Sequence, residues 1–197
     1  MHFGDHKRFV YEGTEQVSRI ISFTVIPNYS CADGESFKED IAVFQFEPIA
    51  FNKAIQPSSI PTKLPKEASE FWIIGYGLTS TNSTITPDVL QIGEVGFWDS
   101  FYHTGLGYST IYSGTASGNH GDSGGTISCK FPGDTTIYLC SSNSGTIVTA
   151  EGNRQLIGPT IVEYANWIEQ ASYALRGRRK MTNTLYMPVT VQSLSSN

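Results

Sequence analysis

Charge is scarce in this sequence, and so are long apolar runs. Charged residues make up 16% of the 197 residues, and the formal net charge is -5. This composition leaves no broad basic surface to bind a phosphate backbone. No apolar run approaches the roughly 18 residues of a membrane-spanning helix, and the opening MHFGDHKRFVYEGTEQ lacks the apolar stretch of a signal peptide. We therefore predict no nucleic-acid partner and no membrane partner. We also expect a monomer.

Cysteine is also rare. The three cysteines, Cys31, Cys129 and Cys140, are an odd number, which in a secreted protein leaves one thiol without a partner in the chain. Hydrophobic residues account for 39% of the sequence and aromatic residues for 12%. These fractions are typical of a globular chain with a buried core and not of a disordered one.

Most of the sequence is predicted to form short strands. The segments are rich in β-branched and aromatic residues and are bounded by glycine, proline, asparagine and serine. This pattern favours an all-β barrel or sandwich. The predicted strand segments are residues 17–27, 40–46, 70–77, 90–98, 124–129, 136–142 and 155–162.

One helix is predicted near the end of the chain. In EYANWIEQASYALRGRRK apolar residues recur at helical spacing, and Gly177 with three following basic residues gives a stop. We expect the tryptophan face to dock on a barrel and the basic residues to complement the helix C-terminus, rather than to form a processing or anion site. Four prolines in residues 46–69 favour an extended connection. The predicted divisions are residues 1–50, a linker at 51–69, a second unit at 70–162, the helix at 163–176 and a tail at 177–197.

The stretch GNHGDSGGTISC, residues 118–129, places Ser123 between an aspartate and two glycines. A serine hydroxyl is a weak nucleophile unless a base takes its proton and hydrogen-bond donors stabilise the resulting oxyanion. Gly121 lets the backbone turn so that its N–H and that of Ser123 can point at one spot. The alternative is an Asp-Ser-Gly-Gly turn without a catalytic role.

Residues 121–125, Gly-Asp-Ser-Gly-Gly, match the nucleophile motif of the chymotrypsin/trypsin-like serine proteases. Other segments resemble that family in the family's order, from residue 4 to about residue 175. They are GDHKRFVYEGTEQ with the following IPNYS, similar to a calcium-loop hairpin and the segment after it; EDIAVFQF, similar to the strand of the catalytic aspartate; IIGYG, similar to the turn that opens the second barrel; and VEYANWIEQ, similar to the terminal helix.

The resemblance implies an all-β double β-barrel of the chymotrypsin type, with an incomplete N-terminal barrel in residues 1–50 and a C-terminal helix. It also implies a secreted serine endopeptidase that acts on proteins or peptides, requires no cofactor and forms an acyl-enzyme at Ser123. Asp40 would hold a histidine in the right tautomer, and the N–H groups of Gly121 and Ser123 would form the oxyanion hole. Ser117 would lie at the floor of the substrate-binding pocket, where a neutral residue argues against cleavage after arginine or lysine.

The sequence departs from the family at the catalytic base. The family's histidine would precede Gly4, and this sequence starts at Met1. We therefore expect a chain without its N-terminal part that is inactive by itself; the alternative is a non-catalytic homologue that acts as a binding module. The four histidines that are present are not expected to replace the base; they are His2, His6, His103 and His120.

The resemblance also carries expectations about the surroundings of the serine. In the family the aspartate before the serine pairs with a new N-terminus made by proteolysis. Without that partner we expect Asp122 to be a buried unpaired carboxylate, with a zymogen-like or mobile loop at residues 113–122. Leu156 is a candidate for narrowing the substrate pocket.

The calcium-loop resemblance implies a metal site in the N-terminal hairpin. The carboxylates of Asp5, Glu12 and Glu15 would converge with the backbone carbonyls of Lys7 and Val10, giving the hard oxygen ligands that calcium prefers. The alternative is a solvated acidic hairpin, because two basic residues in the same segment offset its charge.

The resemblance finally implies an altered disulfide. Phe71 stands where the family places the usual partner of Cys129, which leaves Cys140 as the replacement. TISCKFPGDTTIYLC reads as a hairpin that brings the two Cα atoms within the roughly 4.4–6.8 Å of a disulfide, a bond that persists outside the cell. The alternative is two reduced thiols on opposite sheet faces. Cys31 would be free or would pair with the missing part.

Overall fold

The computed structural model describes residues 1–27, 29, 39–80, 82–103 and 106–177. Within these residues the chain forms eleven β-strands and one α-helix, α1, which spans Ala165–Gly177 and follows a 3-10 turn at Ile161–Tyr164. The described part of the chain has no helix long and apolar enough to span a bilayer. The strands are β1 (His2–Phe3), β2 (Gln16–Val17), β3 (Ile20–Val25), β4 (Ala42–Phe46), β5 (Glu70–Gly75), β6 (Gln91–His103), β7 (Gly107–Ser113), β8 (Thr126–Lys130), β9 (Tyr138–Ser142), β10 (Gly145–Val148) and β11 (Arg154–Pro159).

Seven of these strands form one antiparallel sheet in the order β10, β11, β7, β6, β5, β8, β9. The sheet curls until its two ends meet. Ser141 in β9 forms a bridge with Thr160 just after β11, and the Ser144 N–H donates to the Ile157 carbonyl at 2.9 Å. Because β9 at one edge contacts β11 beside the other edge, the sheet closes into a barrel.

The barrel core is filled from alternate positions of its strands. Tyr112 in β7 lies directly across from Leu156 in β11, and both side chains are almost completely buried. Each such aliphatic or aromatic side chain contributes on the order of 1.5–3 kcal/mol when it leaves water. The buried cluster comprises Phe71, Ile73, Val95, Tyr112, Ile127, Cys129, Phe131, Cys140 and Leu156.

The described N-terminal residues form two small sheets, β1–β2 and β3–β4. Helix α1 packs against β3 and β4, because Ile168, Ala171 and Leu175 recur on one face and are buried there with Ile26 and Val43. Trp167 lies partly buried beside this cluster. The predicted all-β architecture with a C-terminal helix is confirmed, whereas the residue divisions proposed for the two units stay a prediction.

Cys129 and Cys140 form a disulfide across the β8–β9 hairpin, with their Cα atoms 5.8 Å apart. Both are fully buried, and the strand register places Phe71 directly opposite Cys129. The hairpin turns at Gly133, where φ is 77°. The predicted pairing is therefore confirmed, and Cys31 lies outside the described residues.

Replacing Cys129 and Cys140 together by alanine is expected to lower the free energy of unfolding by roughly 3 kcal/mol, because the open chain gains the freedom that a short closed loop denies it. Urea unfolding measures the loss. As a control, reductant should destabilise the parent chain and leave the double variant unchanged. Non-reducing peptide mapping that joins Cys31 to either cysteine would contradict the pairing.

Candidate active site

Ser123 lies in a tight turn between β7 and β8. The Gly125 N–H donates to the Asp122 carbonyl at 2.9 Å and closes the turn. Gly121 has a φ of 96°, in the left-handed region that suits glycine, and a Cβ added there would lie 3.1 Å from the Gly77 Cα. A residue with a side chain would therefore strain this turn and crowd the segment that follows β5.

Two main-chain donors beside Ser123 are unused. The N–H groups of Gly121 and Ser123 have no acceptor among the described residues, and the Ser123 hydroxyl has no hydrogen-bond partner there either. The neighbouring main chain is anchored instead: the Gly124 N–H donates to the Asn143 carbonyl at 2.8 Å, and the Asn143 N–H donates to the Gly125 carbonyl at 2.9 Å. The turn thus offers a hydroxyl and two donors within three residues, as acyl transfer requires.

Asp122 is hydrogen-bonded, which corrects the expectation of a buried unpaired carboxylate. It is only half-buried, its Oδ1 accepts from the Gly77 N–H at 2.8 Å, and its Oδ2 accepts from the Asn119 N–H at 3.0 Å. A Cβ at Gly75 or Gly77 would overlap this carboxylate. Main-chain N–H groups take the place of the expected cationic partner.

Ser117 lines a cavity of about 320 Å³ together with Asp122, Gly75 and Gly77. The Ser117 side chain is exposed. The cavity lies against the carboxylate of Asp122, where the family resemblance implied a paired N-terminus. It therefore provides space beside the serine turn on the side of β5 and β6.

Asp40 is the buried carboxylate of the site, with 3% of its surface exposed. It follows Glu39, whose positive φ of 49° turns the chain immediately before β4. Burial raises the pKa of Asp40 above its ordinary value, and the nearby Ser144 hydroxyl partly opposes that rise. Asp40 Oδ2 and Ser144 Oγ are both buried without a hydrogen-bond partner among the described residues. An unsatisfied buried carboxylate oxygen indicates that a donor belongs there.

The serine turn and Asp40 are connected through the two residues that follow β9. Asn143 holds the main chain of Gly124 and Gly125, while Ser144 lies beside Asp40. The closure of the barrel fixes this pair, since the Ser144 N–H bonds to β11. The structure thus links the serine turn to Asp40 through Asn143 and Ser144.

No hydrogen bond joins a histidine to Ser123 within the described residues. His6 faces Glu12, with the Nδ1–Oε1 distance at 3.4 Å. His120 is exposed, and its main-chain N–H donates to the side chain of Asn119. His2 and His103 are exposed residues of β1 and β6. None of these contacts activates the serine.

Replacing Asp40 by asparagine is expected to stabilise the chain at pH 7 by about 1–3 kcal/mol, the typical cost of an unsatisfied buried polar group. Because burial raises the pKa of Asp40, the folded chain binds this proton more tightly than the unfolded chain. The ionised carboxylate therefore lowers the free energy of unfolding. This loss is absent below pH 3.8, the ordinary pKa, and grows as the pH rises through the folded pKa.

Urea unfolding of the parent and of Asp40→Asn between pH 3 and pH 7 measures this difference. The gain should vanish at the acid end. Asp134→Asn is the matched control with the opposite sign, because hydrogen bonds from Thr136 and Tyr138 lower the pKa of Asp134. Equal stability of the parent and Asp40→Asn at pH 7, or a gain that persists at pH 3, would contradict the account.

Two residues beside Gly118, five positions before the serine, were not predicted as site residues: Thr146 and Arg154. Thr146 Oγ1 donates to the Gly118 carbonyl at 3.1 Å, and Arg154 Nη2 donates to the same oxygen at 3.2 Å. A Cβ at Gly118 would lie 2.6 Å from Leu156 Cδ2 and 2.9 Å from Asn143 Nδ2. Thr146 lies in β10 and Arg154 in β11, so no local motif reveals them.

In the N-terminal hairpin, two of the carboxylates predicted to bind calcium accept main-chain hydrogen bonds. Glu12 Oε2 accepts from the Lys7 N–H at 2.8 Å, and the two Glu15 oxygens accept from the N–H groups of Glu12 and Thr14. These main-chain donors lower the pKa of both glutamates. The described residues contain no group of three or more histidine, cysteine, aspartate or glutamate side chains placed to hold a metal. The calcium set with Asp5 and Val10 stays a prediction.

The chain is similar to several proteases. It is 24% identical to dog (Canis lupus familiaris) chymotrypsin-like elastase family member 1 over 178 residues, covering 84% of this chain and 68% of that protein. It is 24% identical to pig (Sus scrofa) trypsin over 183 residues, covering 86% and 74% of the two chains. Thrombin-like enzyme acutin of the snake Deinagkistrodon acutus is 25% identical over 180 residues, again covering 86% and 74%.

The similarity to one protein family extends over most of the chain. The sequence model of the trypsin family matches residues 1–168, which include Asp40, the complete serine turn and the closed barrel. The all-β fold with its C-terminal helix is that of the chymotrypsin type. This chain therefore belongs to the trypsin family of serine proteases.

Proposed function

We propose that this chain is a serine endopeptidase whose nucleophile is Ser123 and whose catalytic base is not among the described residues. The observation that carries the proposal is the junction after β9. Through Asn143 and Ser144, a serine without a hydrogen-bond partner and two unused N–H groups are linked there to a buried Asp40 with an unsatisfied oxygen. These are the groups that acyl transfer at a serine requires, apart from an imidazole.

In the proposed reaction Ser123 Oγ attacks the peptide carbonyl and loses its proton to the base. The N–H groups of Gly121 and Ser123 donate to the oxyanion. The amine leaves with the proton from the base, and an acyl ester remains on Ser123. Water then attacks the ester and gives its proton through the same base, which restores the serine. Asp40 would accept the second N–H of an imidazole and stabilise its charged form, and Ser117 is proposed as a substrate contact.

A non-catalytic binding module is the second candidate. It is favoured by the absence of a histidine bonded to Ser123 in the described part of the chain and by the packing of Leu156 against Gly118. Such a module would bind a peptide without cleaving it. The two candidates differ in whether Ser123 accepts an acyl group.

The test uses the whole 197-residue chain. A fluorogenic peptide panel should show little or no cleavage, since oxyanion donors and binding alone provide roughly 10³-fold over water. A p-nitrophenyl ester, whose leaving group needs no proton, should acylate Ser123 slowly as the hydroxyl proton passes to water. Mass spectrometry of the digested chain would show the adduct, and Ser123→Ala should abolish it. The absence of an acyl-serine would favour the binding module. Rapid peptide cleavage would overturn the part of the proposal that concerns the base.

Finer features of the protein are also proposals. Secretion is supported by the buried disulfide, which persists in an oxidising compartment. We also propose protein or peptide substrates, a monomer, and a division into two barrels joined by residues 51–69.

A structural calcium ion is a further proposal, although the family needs no cofactor. A calcium-induced rise in melting temperature that Glu15→Gln removes would support it; equal melting in calcium and in chelator would contradict it.

A further inference from the structure

The guanidinium of Arg154 lies against the main chain that leads into the serine turn. It donates from Nη2 to the Gly118 carbonyl at 3.2 Å, and Thr146 Oγ1 donates to the same oxygen at 3.1 Å. Gly118 and Gly121 are three residues apart, so their Cα atoms are separated by at most about 11 Å. A cation thus contacts the main-chain segment that leads into the proposed oxyanion donors.

The charge of Arg154 is not neutralised by the described residues. The ion pairs formed there are His6–Glu12, Arg19–Glu47 and Lys130–Glu70. A guanidinium has five N–H groups, and one of them is used on Gly118. Neither Nε nor Nη1 of Arg154 is among the buried nitrogens that lack a partner, so both reach solvent. The side chain therefore presents unused donors to an incoming group.

The space behind Gly118 is closed to a large side chain. Two buried side chains pack against Gly118: Leu156, which is 1% exposed, and Asn143, which is 2% exposed. Leu156 Cδ2 and Asn143 Nδ2 occupy the space that a Cβ on Gly118 would enter. What stays accessible at this position is the rim formed by Thr146 and Arg154.

We infer that this site selects peptides with an acidic residue on the acyl side of the cleaved bond, and that Arg154 binds the carboxylate of that residue. The inference rests on the proposed function at Ser123. A carboxylate accepts two parallel, charge-assisted hydrogen bonds from a guanidinium, which is stronger than the present single bond to the neutral Gly118 carbonyl. Arg154 would exchange one acceptor for the other, and a lysine in the same place would be repelled.

The experiment compares p-nitrophenyl esters of one short peptide whose last residue is glutamate, glutamine or lysine. The glutamate ester should acylate Ser123 about five- to tenfold faster than its neutral isostere, because the cation is only partly exposed, and the lysine ester should be slowest. Arg154→Gln should remove the preference for glutamate over glutamine, whereas a purely structural role would slow both esters alike. Arg19→Gln, which alters an exposed arginine of the N-terminal part, is the matched control and should keep the preference.

Binding separates this inference from the proposed chemistry. In the Ser123→Ala variant, calorimetry should show tighter binding of the glutamate peptide amide than of the glutamine one, and Arg154→Gln should abolish the difference. If no ester acylates Ser123 while this difference persists, catalysis is overturned and acidic recognition stands. If the glutamate and glutamine esters acylate equally and bind equally, the role of Arg154 is overturned and the nucleophile stands.

Discussion

Replacing Asp122 by alanine is expected to slow acylation of Ser123 by a p-nitrophenyl ester about 100-fold, the loss typical when an oxyanion donor is removed. The two carboxylate oxygens of Asp122 tie the serine turn to the main chain at Gly77 and Asn119. Without these oxygens the Gly77 and Asn119 N–H groups lose their acceptors. The serine turn then no longer holds its two oxyanion donors in place. The free energy of unfolding should also fall, by about 2–4 kcal/mol for two charge-assisted hydrogen bonds.

Asp134→Ala is the matched control for this experiment. Asp134 also accepts two hydrogen bonds, from the Thr136 N–H and the Tyr138 hydroxyl. It lies at the opposite end of β8 from Ser123, more than about 13 Å along the strand. The control should lose some stability and keep its acylation rate. An Asp122→Ala variant that acylates at the parent rate would show that the carboxylate does not position the serine turn.

Replacing Gly158 by alanine is expected to lower the free energy of unfolding by about 3 kcal/mol or more, since overpacking against fixed backbone allows no easy relaxation. A Cβ at Gly158 would overlap the main-chain carbonyl of Ser142, where β9 and β11 close the barrel. The strands would have to separate. That separation would disturb Ser144 beside Asp40, so the ester reaction at Ser123 should slow as well.

Gly177→Ala is the control, because a Cβ at this end of α1 has no neighbour within 4 Å. It should change the stability by less than about 0.5 kcal/mol. Urea unfolding compares the two variants directly. A Gly158→Ala protein as stable as the Gly177→Ala protein would mean that β9 and β11 do not approach as described.

The sequence reveals the parts of the site that rest on local patterns. Ser123 and its glycines form one contiguous turn, and Asp40 stands at the start of a recognisable apolar strand, so both could be identified without a structure. The Cys129–Cys140 bond was accessible for the same reason, since one hairpin determines it. The complete buried cluster could not be predicted, because it depends on how the strands register.

Strand β7 shows why other elements were missed. Its sequence, GYSTIYS, is rich in glycine, serine and threonine, which usually indicate a loop. It becomes a central strand because β6 and β11 pair with it on either side, and the buried hydroxyl of Thr110 bonds to that of Thr160 at 2.7 Å. Arg154 and Gly118 are likewise 36 residues apart, and their contact exists only once the sheet is closed.

The most direct test of the proposed active site is chemical rescue with free imidazole. The rate of Ser123 acylation is measured against imidazole concentration in the parent chain, Ser123→Ala, Asp40→Asn and His120→Gln. The account predicts a saturating rise in the parent and in His120→Gln, no adduct in Ser123→Ala, and a strongly reduced rise in Asp40→Asn, because Asp40 orients and stabilises the imidazolium. A rise that is linear and unaffected by Asp40→Asn, or a basal rate that collapses in His120→Gln, would contradict it.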